Sequence, residues 1–222
     1  MAIVRRPGTK PGASETRSEP PTIIPRVLKS EPVPGYREIA HEIDAGVTPT
    51  LDVGCGNQKI PGAVGIDMSP ATQADIVHDL NRFPWPLPDS KFEVIRLWSV
   101  LEHLDDTLAV MEEVHRVSRP GAIVIILVPH FSSANSFTDP THRHFFSGRS
   151  LDYLVPDTQL SGSYGFYGRG QYRMVERRVT LSPLWTRLRL TGWMNRHLYQ
   201  YETYLCYLIR GQDVLLKLSV IK

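Results

Sequence analysis

Cysteine is nearly absent: Cys55 and Cys206 are the only two in 222 residues. Two thiols build neither a disulfide framework nor a cysteine-based zinc site. Long apolar runs are lacking too. The longest, AIVIILV, falls far short of the ~20 residues a membrane-spanning helix needs. The opening MAIVRRPGTKPG has no apolar core of a secretion signal, so a cytoplasmic, reduced protein is the expectation. No charge sign dominates either, the net being +2. With 41% hydrophobic and 22% charged residues, the composition is that of a globular chain long enough to bury a core.

The charge is unevenly spread. Residues 1–34 carry six Lys/Arg and three Asp/Glu, residues 35–164 nine and seventeen, and residues 165–222 ten and three. The last segment, near +7, suits an anionic partner, or is simply a solvated basic surface. Residues 1–34 also hold seven of the eighteen prolines and no periodicity, which predicts a disordered tail.

Structure is expected to begin at GYREIAHEI, where Tyr36, Ile39, Ala40 and Ile43 recur at helical spacing. TLDVGCG, GAVGID, ADIVHDL, FEVIRLWSVL and AIVIILVP follow as five short apolar segments. Continuous apolar runs, rather than alternation, predict strands buried on both faces of a parallel sheet. DDTLAVMEEVHRVSRPG between the fourth and fifth reads as an amphipathic helix. Asp105 or Asp106 caps it, Leu108, Met111, Val114 and Val117 face inward, and Pro120-Gly121 stops it. This alternation implies a doubly wound α/β fold. Only NQKIP separates the first glycine turn from the second strand, too little for the usual helical crossover, so that helix is expected to shrink to a turn beside an open cleft. MSPATQ leaves room for one or two helical turns in the next crossover. Further on, QYRMVERRVTL and DVLLKLSVIK read as strands, and the aromatic, Arg-rich segment between them as helical.

LDVGCGN carries the strongest functional signal. Glycines 54 and 56 allow a sharp turn and close approach of a ligand at the carboxyl end of the first strand. A third glycine is missing, since Ile60 follows Gln58-Lys59, and this disfavours a dinucleotide. Asp67 ends the second strand, where a carboxylate accepts both hydroxyls of a ribose, or is merely an exposed strand-end acid. Asp79 with Leu80 ends the third, placed for an adenine amine or as a plain loop acid. Asp52, before the glycines, organises the loop or meets an ammonium group.

LDVGCGN, GIDMS, FPWPLPDSKFEVIRLWSVLEHLDD and EVHRVSRPGAIVIILVPH, in this order over residues 48–130, resemble the class I S-adenosylmethionine-dependent methyltransferases, most closely the small branch with an LEHL segment. The resemblance implies a mostly parallel, seven-stranded, Rossmann-like sheet with an antiparallel C-terminal strand and a helical insertion. It implies one domain over 35–222: a cofactor-binding core at 35–130, a substrate loop or lid at 131–170, and C-terminal strands with the insertion at 171–222. It makes S-adenosylmethionine the cofactor. Asp52, Gly54, Cys55 and Gly56 would contact its methionine part, Asp67 and the following Met68 its ribose side, Asp79 and Leu80 its adenine, and Trp98 and Ser99 its sulfonium side.

Methyl transfer is an in-line displacement at a carbon that the cofactor activates, so the protein aligns the nucleophile, excludes water and, where needed, takes a proton. His103, after the fourth strand, is a candidate base or a loop-fixing residue. Glu102 reads as a structural carboxylate. The loop leaving the fifth strand, VPHFSSANSFTDPTHRHFF, carries the other candidates. Asp139, His142 and His144 are candidate acid–base groups, and His130, Phe131, Arg143 and Phe145 candidate substrate contacts. A metal reading would use His142, His144 and Asp139, with His130, as nitrogen and oxygen ligands. The reaction needs no metal, so none is assigned. In the plainest reading Asp139 forms a turn before Pro140 and the imidazoles bond to backbone.

The function expected is transfer of a methyl group to an O, N or C nucleophile of a small molecule or glycan-type metabolite, including an anionic one. Attack on another carbon of the cofactor is the alternative within enzymes. Nucleic acid is disfavoured, because no N/D-P-P-Y/F stretch is present. A membrane surface is a candidate partner through residues 184–211, whose aromatics interleave with arginines, either for a catalytic or for a purely binding protein.

Overall fold

The computed structural model describes residues 48–164 and 170–222; the expected tail and the helix expected at Tyr36–Ile43 lie outside them. Seven strands form one sheet: β1 (Thr50–Val53), β2 (Val64–Asp67), β3 (Ile76–Val77), β4 (Phe92–Trp98), β5 (Ser118–Pro129), β6 (Gln171–Leu181) and β7 (Gly211–Ile221). Their order is β3-β2-β1-β4-β5-β7-β6, and β7 runs antiparallel to both its neighbours. This is the expected α/β architecture.

The apolar runs explain the layering. Leu51, Val53, Ile95, Leu97, Val124 and Ile126 point to one face and form the main core. Ile125, Leu127 and Leu215, with Val94, Trp98 and Ile123, form a second cluster of alternate residues on the same strands. Both faces of the central strands are therefore apolar, as parallel pairing requires.

Helix α1 (Thr107–Val117) covers the main core with Val110, Met111, Val114 and Val117, and Leu108 packs at its margin. Asp106 caps it, accepting the amides of Leu108 and Ala109. Asp106→Ala should therefore destabilise the fold by about 1 kcal/mol, read as a lower denaturation midpoint at unchanged slope. The helix stops at Ser118 rather than at Pro120-Gly121, because the Ser118 hydroxyl turns back onto the Val114 carbonyl and the chain enters β5 at once.

Crossovers decide where the site lies. Residues 54–63 contain no helix, so the first crossover is a turn, as NQKIP predicts. The second is also turns only, one step shorter than the helical turns that MSPATQ allows. Lys59 ties the two together through Asp75, whose other partner is the Gly65 amide. Past β5 the chain makes the short helices α2 (Asn135–Thr138) and α3 (Gln159–Tyr164). Between β6 and β7 the expected helical stretch is broken into α4 (Pro183–Arg187), α5 (Leu190–Arg196) and a π-helical turn at Tyr201–Leu205.

Candidate functional site

Gly54 and Gly56 both take the left-handed conformation, at φ of 63° and 50°. A Cβ on Gly54 would stand 2.3 Å from Val100, so the turn passes directly under the end of β4. A Cβ on Gly56 would meet nothing within 4 Å, which leaves an open cradle above the turn. Asp67 closes that cradle. One of its oxygens accepts the Gly56 amide and the other the Ser69 amide, each at 2.9 Å. Each carboxylate oxygen takes two hydrogen bonds, so both retain an acceptor site. Asp79 and Leu80 follow β3 on the same carboxyl edge, Asp79 half-buried and Leu80 buried, with Met68 exposed between. Ser99 ends β4 at φ 50° and is exposed. The backbone turn, the two strand-end acids and Ser99 are thus brought to one edge, where ligands bind in open α/β sheets.

Asp52 and the Cys55 side chain play other parts than direct contact. Asp52 is fully buried, and its carboxylate is spent on Arg96, Nε at 2.8 Å and Nη2 at 2.6 Å, and on the Ile60 amide at 2.9 Å. Asp52 and Arg96 are register partners on β1 and β4, and Arg96 also donates to the Gln58 carbonyl. The pair holds the short crossover from below. The Cys55 side chain packs against Gly65, and burial, aided by Asp52 and Asp67, pushes its thiol up to about 11. It is an inert filler whose backbone alone shapes the turn. Trp98 belongs to the second apolar cluster, with Arg96 over its ring.

The loop after β5 meets the turn after β4. Glu102 and His103 lie in a single 3-10 turn, Leu101–His103. The amides of Arg143 and His144 both bond to the Glu102 carbonyl and stitch the loop over that turn. His142 reaches His103 edge to face at 4.6 Å. His103 Nδ1 bonds to Thr141 Oγ1 at 2.9 Å, and Thr141 in turn donates to Asp139 at 2.6 Å. Burial and the neighbouring His142 lower the His103 pKa and favour its neutral ring. Asp139, held low by hydrogen bonds from Thr141, is an exposed orienting group rather than a proton carrier. Glu102 is the unexpected member. It is 1% exposed, and neither of its carboxylate oxygens has a hydrogen-bond partner. It is therefore not an ordinary structural carboxylate.

Two further expectations are corrected. His130 is fully buried, bonded through Nδ1 to Ser132 and facing Glu202 at 3.4 Å, so it fastens β5 to the C-terminal insertion and touches no substrate. His144 turns to the Asp105 carbonyl and packs on Phe146, because the loop is not a strand and the i, i+2 spacing sends His142 and His144 apart. The Arg143 guanidinium is exposed and pairs with the exposed Asp105, a surface contact that a bound anion can replace. Phe131 and Phe145 do line a cleft, of about 370 Å³, with Ser132, Ser133, Phe137 and Tyr207. A larger cleft, about 600 Å³, lies around His115, Arg116 and Lys222, away from the carboxyl edge.

Glu102 and Asp213 give the protein a pH signature. Burial, with Asp213 and Asp139 nearby, raises the Glu102 carboxyl to about 7, and burial raises Asp213 to about 6. Such groups bind their protons more tightly folded than unfolded. Their contribution is fully present below the ordinary carboxyl pKa and is lost as pH rises through about 6 to 7. Stability should fall between about pH 4 and 7, and Glu102→Gln should flatten that fall by up to about 3 kcal/mol in denaturant titrations.

Arg96, Thr141, Glu202 and Asp213 carry the site without having been singled out. Arg96 had a signal, an arginine in the middle of the apolar run FEVIRLW, which demands a buried partner. Thr141 had none.

A family model described as "Methyltransferase domain" matches residues 22–161. A protein of Mycolicibacterium smegmatis described as "Probable S-adenosylmethionine-dependent methyltransferase" is 31% identical over 112 residues, covering 43% of this chain and 42% of that protein. Demethylmenaquinone methyltransferase of Lysinibacillus sphaericus is 33% identical over 60 residues, covering 27% of this chain and 25% of that enzyme. The chain thus spans less than half the length of these curated relatives. The crystal structure of a SAM-dependent methyltransferase from Archaeoglobus fulgidus superposes with a TM-score of 0.57 at 17% identity, over 84% of this chain and 91% of that one, and shares the fold. The chain belongs to the methyltransferase-domain family.

Proposed function

From that membership we propose that the protein is an S-adenosylmethionine-dependent methyltransferase. One observation carries the reading: the cradle of Gly54 and Gly56 is locked to the Asp67 carboxylate at adjacent strand ends, with acceptor sites on that carboxylate to spare. The cofactor would supply the activated methyl group. Gly54 and Gly56 would pass its methionine part closely, Asp67 would accept its ribose hydroxyls, and Asp79 with Leu80 would face its adenine. Ser99 would stand at its sulfonium end, with Phe131 and Phe145 flanking the acceptor. His103, neutral and oriented by Thr141, would stand beside the acceptor. A small metabolite or glycan unit suits this loop, including an anionic one that the exposed Arg143 would meet. Calorimetric titration should show one S-adenosylmethionine per chain, displaced by S-adenosylhomocysteine; no heat with folded protein would refute the reading.

Surface composition supports an additional partner. Leu184, Leu188, Trp193, Tyr199, Tyr204, Tyr207 and Leu208 are between 48% and 76% exposed, with Arg187, Arg189, Arg196 and Arg210 exposed among them. No described helix is long and apolar enough to cross a membrane, so this segment would lie on an anionic surface. Wild-type protein should float with anionic vesicles and Trp193→Ala/Tyr204→Ala should float several-fold less; equal flotation would remove the membrane from the account.

A further inference from the structure

Among the described residues, Glu102 is the buried carboxylate whose two oxygens both lack a partner. Its carboxylate is 1% exposed and holds no hydrogen bond. Burying such a group unpaired is costly, and a cation relieves that cost. Two imidazoles stand beside it, with the carboxylates of Asp213 and Asp139 farther off. One ligand atom each of Glu102, His103 and His142 lies within 4.8 Å of the others.

Hydrogen bonding fixes which nitrogen each ring has free. His142 Nδ1 lies 3.0 Å from the Ser136 carbonyl, which only accepts, so Nδ1 carries the proton and Nε2 keeps its lone pair. The Thr141 hydroxyl gives its proton to Asp139, so toward His103 Nδ1 it can only accept, and His103 Nε2 is left free by the same logic. The carbonyl on one imidazole and the hydroxyl–carboxylate relay on the other form the kind of outer shell that metal-binding histidines use. Two nitrogens and one carboxylate oxygen suit zinc and the neighbouring divalent transition ions, whereas magnesium and calcium want all-oxygen cages.

We propose that Glu102, His103 and His142 bind a divalent transition-metal ion, with its remaining positions open to oxygen atoms of the methyl acceptor. Ligand atoms around such an ion stand about 3.3 Å apart, so closure draws these three together by up to about 1.5 Å, within reach of side-chain rotation. His144 and Asp139, the partners that spacing alone gave to His142, are excluded: His144 bonds to the Asp105 carbonyl, and Asp139 acts behind the site through Thr141. The role of the open positions rests on the proposed methyltransferase reading; the ion site itself does not.

The test uses chelator-stripped full chain titrated with cobalt(II). Visible d–d absorption should rise to saturation at one equivalent and be displaced by zinc. Glu102→Gln and His142→Gln should each weaken cobalt binding at least tenfold, and His144→Gln should leave it unchanged. Calorimetry with S-adenosylmethionine on the same samples reports the cofactor site separately and, with circular dichroism, shows that each variant is folded. Absence of one-equivalent cobalt binding by folded wild-type protein overturns the metal site, as do bands that persist undiminished in both variants. Cobalt binding without cofactor binding leaves the metal site standing and overturns the methyltransferase reading. If a substitution unfolds the chain, the wild-type stoichiometry and the other variant decide.

Discussion

Asp67→Ala is expected to weaken S-adenosylmethionine binding by at least about a hundred-fold. Two hydrogen bonds from ribose hydroxyls to a carboxylate, at about 1.5–3 kcal/mol each, set the scale. The same carboxylate also pins the Gly56 and Ser69 amides, so its removal loosens the cradle that would receive the methionine part. Asp67→Asn should do little better, because one amide nitrogen must then face a backbone N–H donor. Global stability should change much less, since Asp67 is half-buried and at the sheet edge. Calorimetry with melting curves reads both effects. Tight binding retained by Asp67→Ala would refute the ribose assignment.

Arg96→Met is expected to cost about 3–5 kcal/mol of stability, on the order of 10 °C in Tm, by leaving the Asp52 carboxylate buried without its counter-ion. The double variant Asp52→Leu/Arg96→Met should recover most of that loss, because an apolar pair of similar volume tolerates burial. It should not recover cofactor affinity. The Gln58 carbonyl and the Ile60 amide lose their partners in the double variant, and they hold the crossover against β1. Chemical denaturation and S-adenosylmethionine titration of the three proteins separate the two effects. A double variant no more stable than Arg96→Met would show that the ion pair does not carry the packing here.

The sheet was legible because its evidence is local. Apolar runs such as AIVIILV and the glycines of LDVGCGN report their own surroundings, and five residues of NQKIP sufficed to predict a helix-free crossover, which the structure contains. The side chains around the site were legible only in part, because their roles depend on contacts far apart in sequence. Asp52 and Arg96 are 44 residues apart, and the meeting of His130 with Glu202 spans 72. Nothing at Asp52 tells whether its carboxylate points to a ligand or to an arginine on the next strand. The His142–His144 spacing misled for a related reason. Alternation holds only in extended chain, and this segment follows Pro140 through a turn, so one imidazole meets His103 and the other a backbone carbonyl. Glu102 was underrated since sequence reveals burial but not the lack of a partner.

Incubation with methyl-labelled S-adenosylmethionine and a metabolite extract, with the products followed by mass spectrometry, reads the reaction itself. Methyl transfer predicts a small molecule heavier by one labelled methyl group, formed together with S-adenosylhomocysteine and lost with Asp67→Ala. Release of methylthioadenosine instead, or no consumption of cofactor by folded protein with any acceptor in the extract, would contradict it.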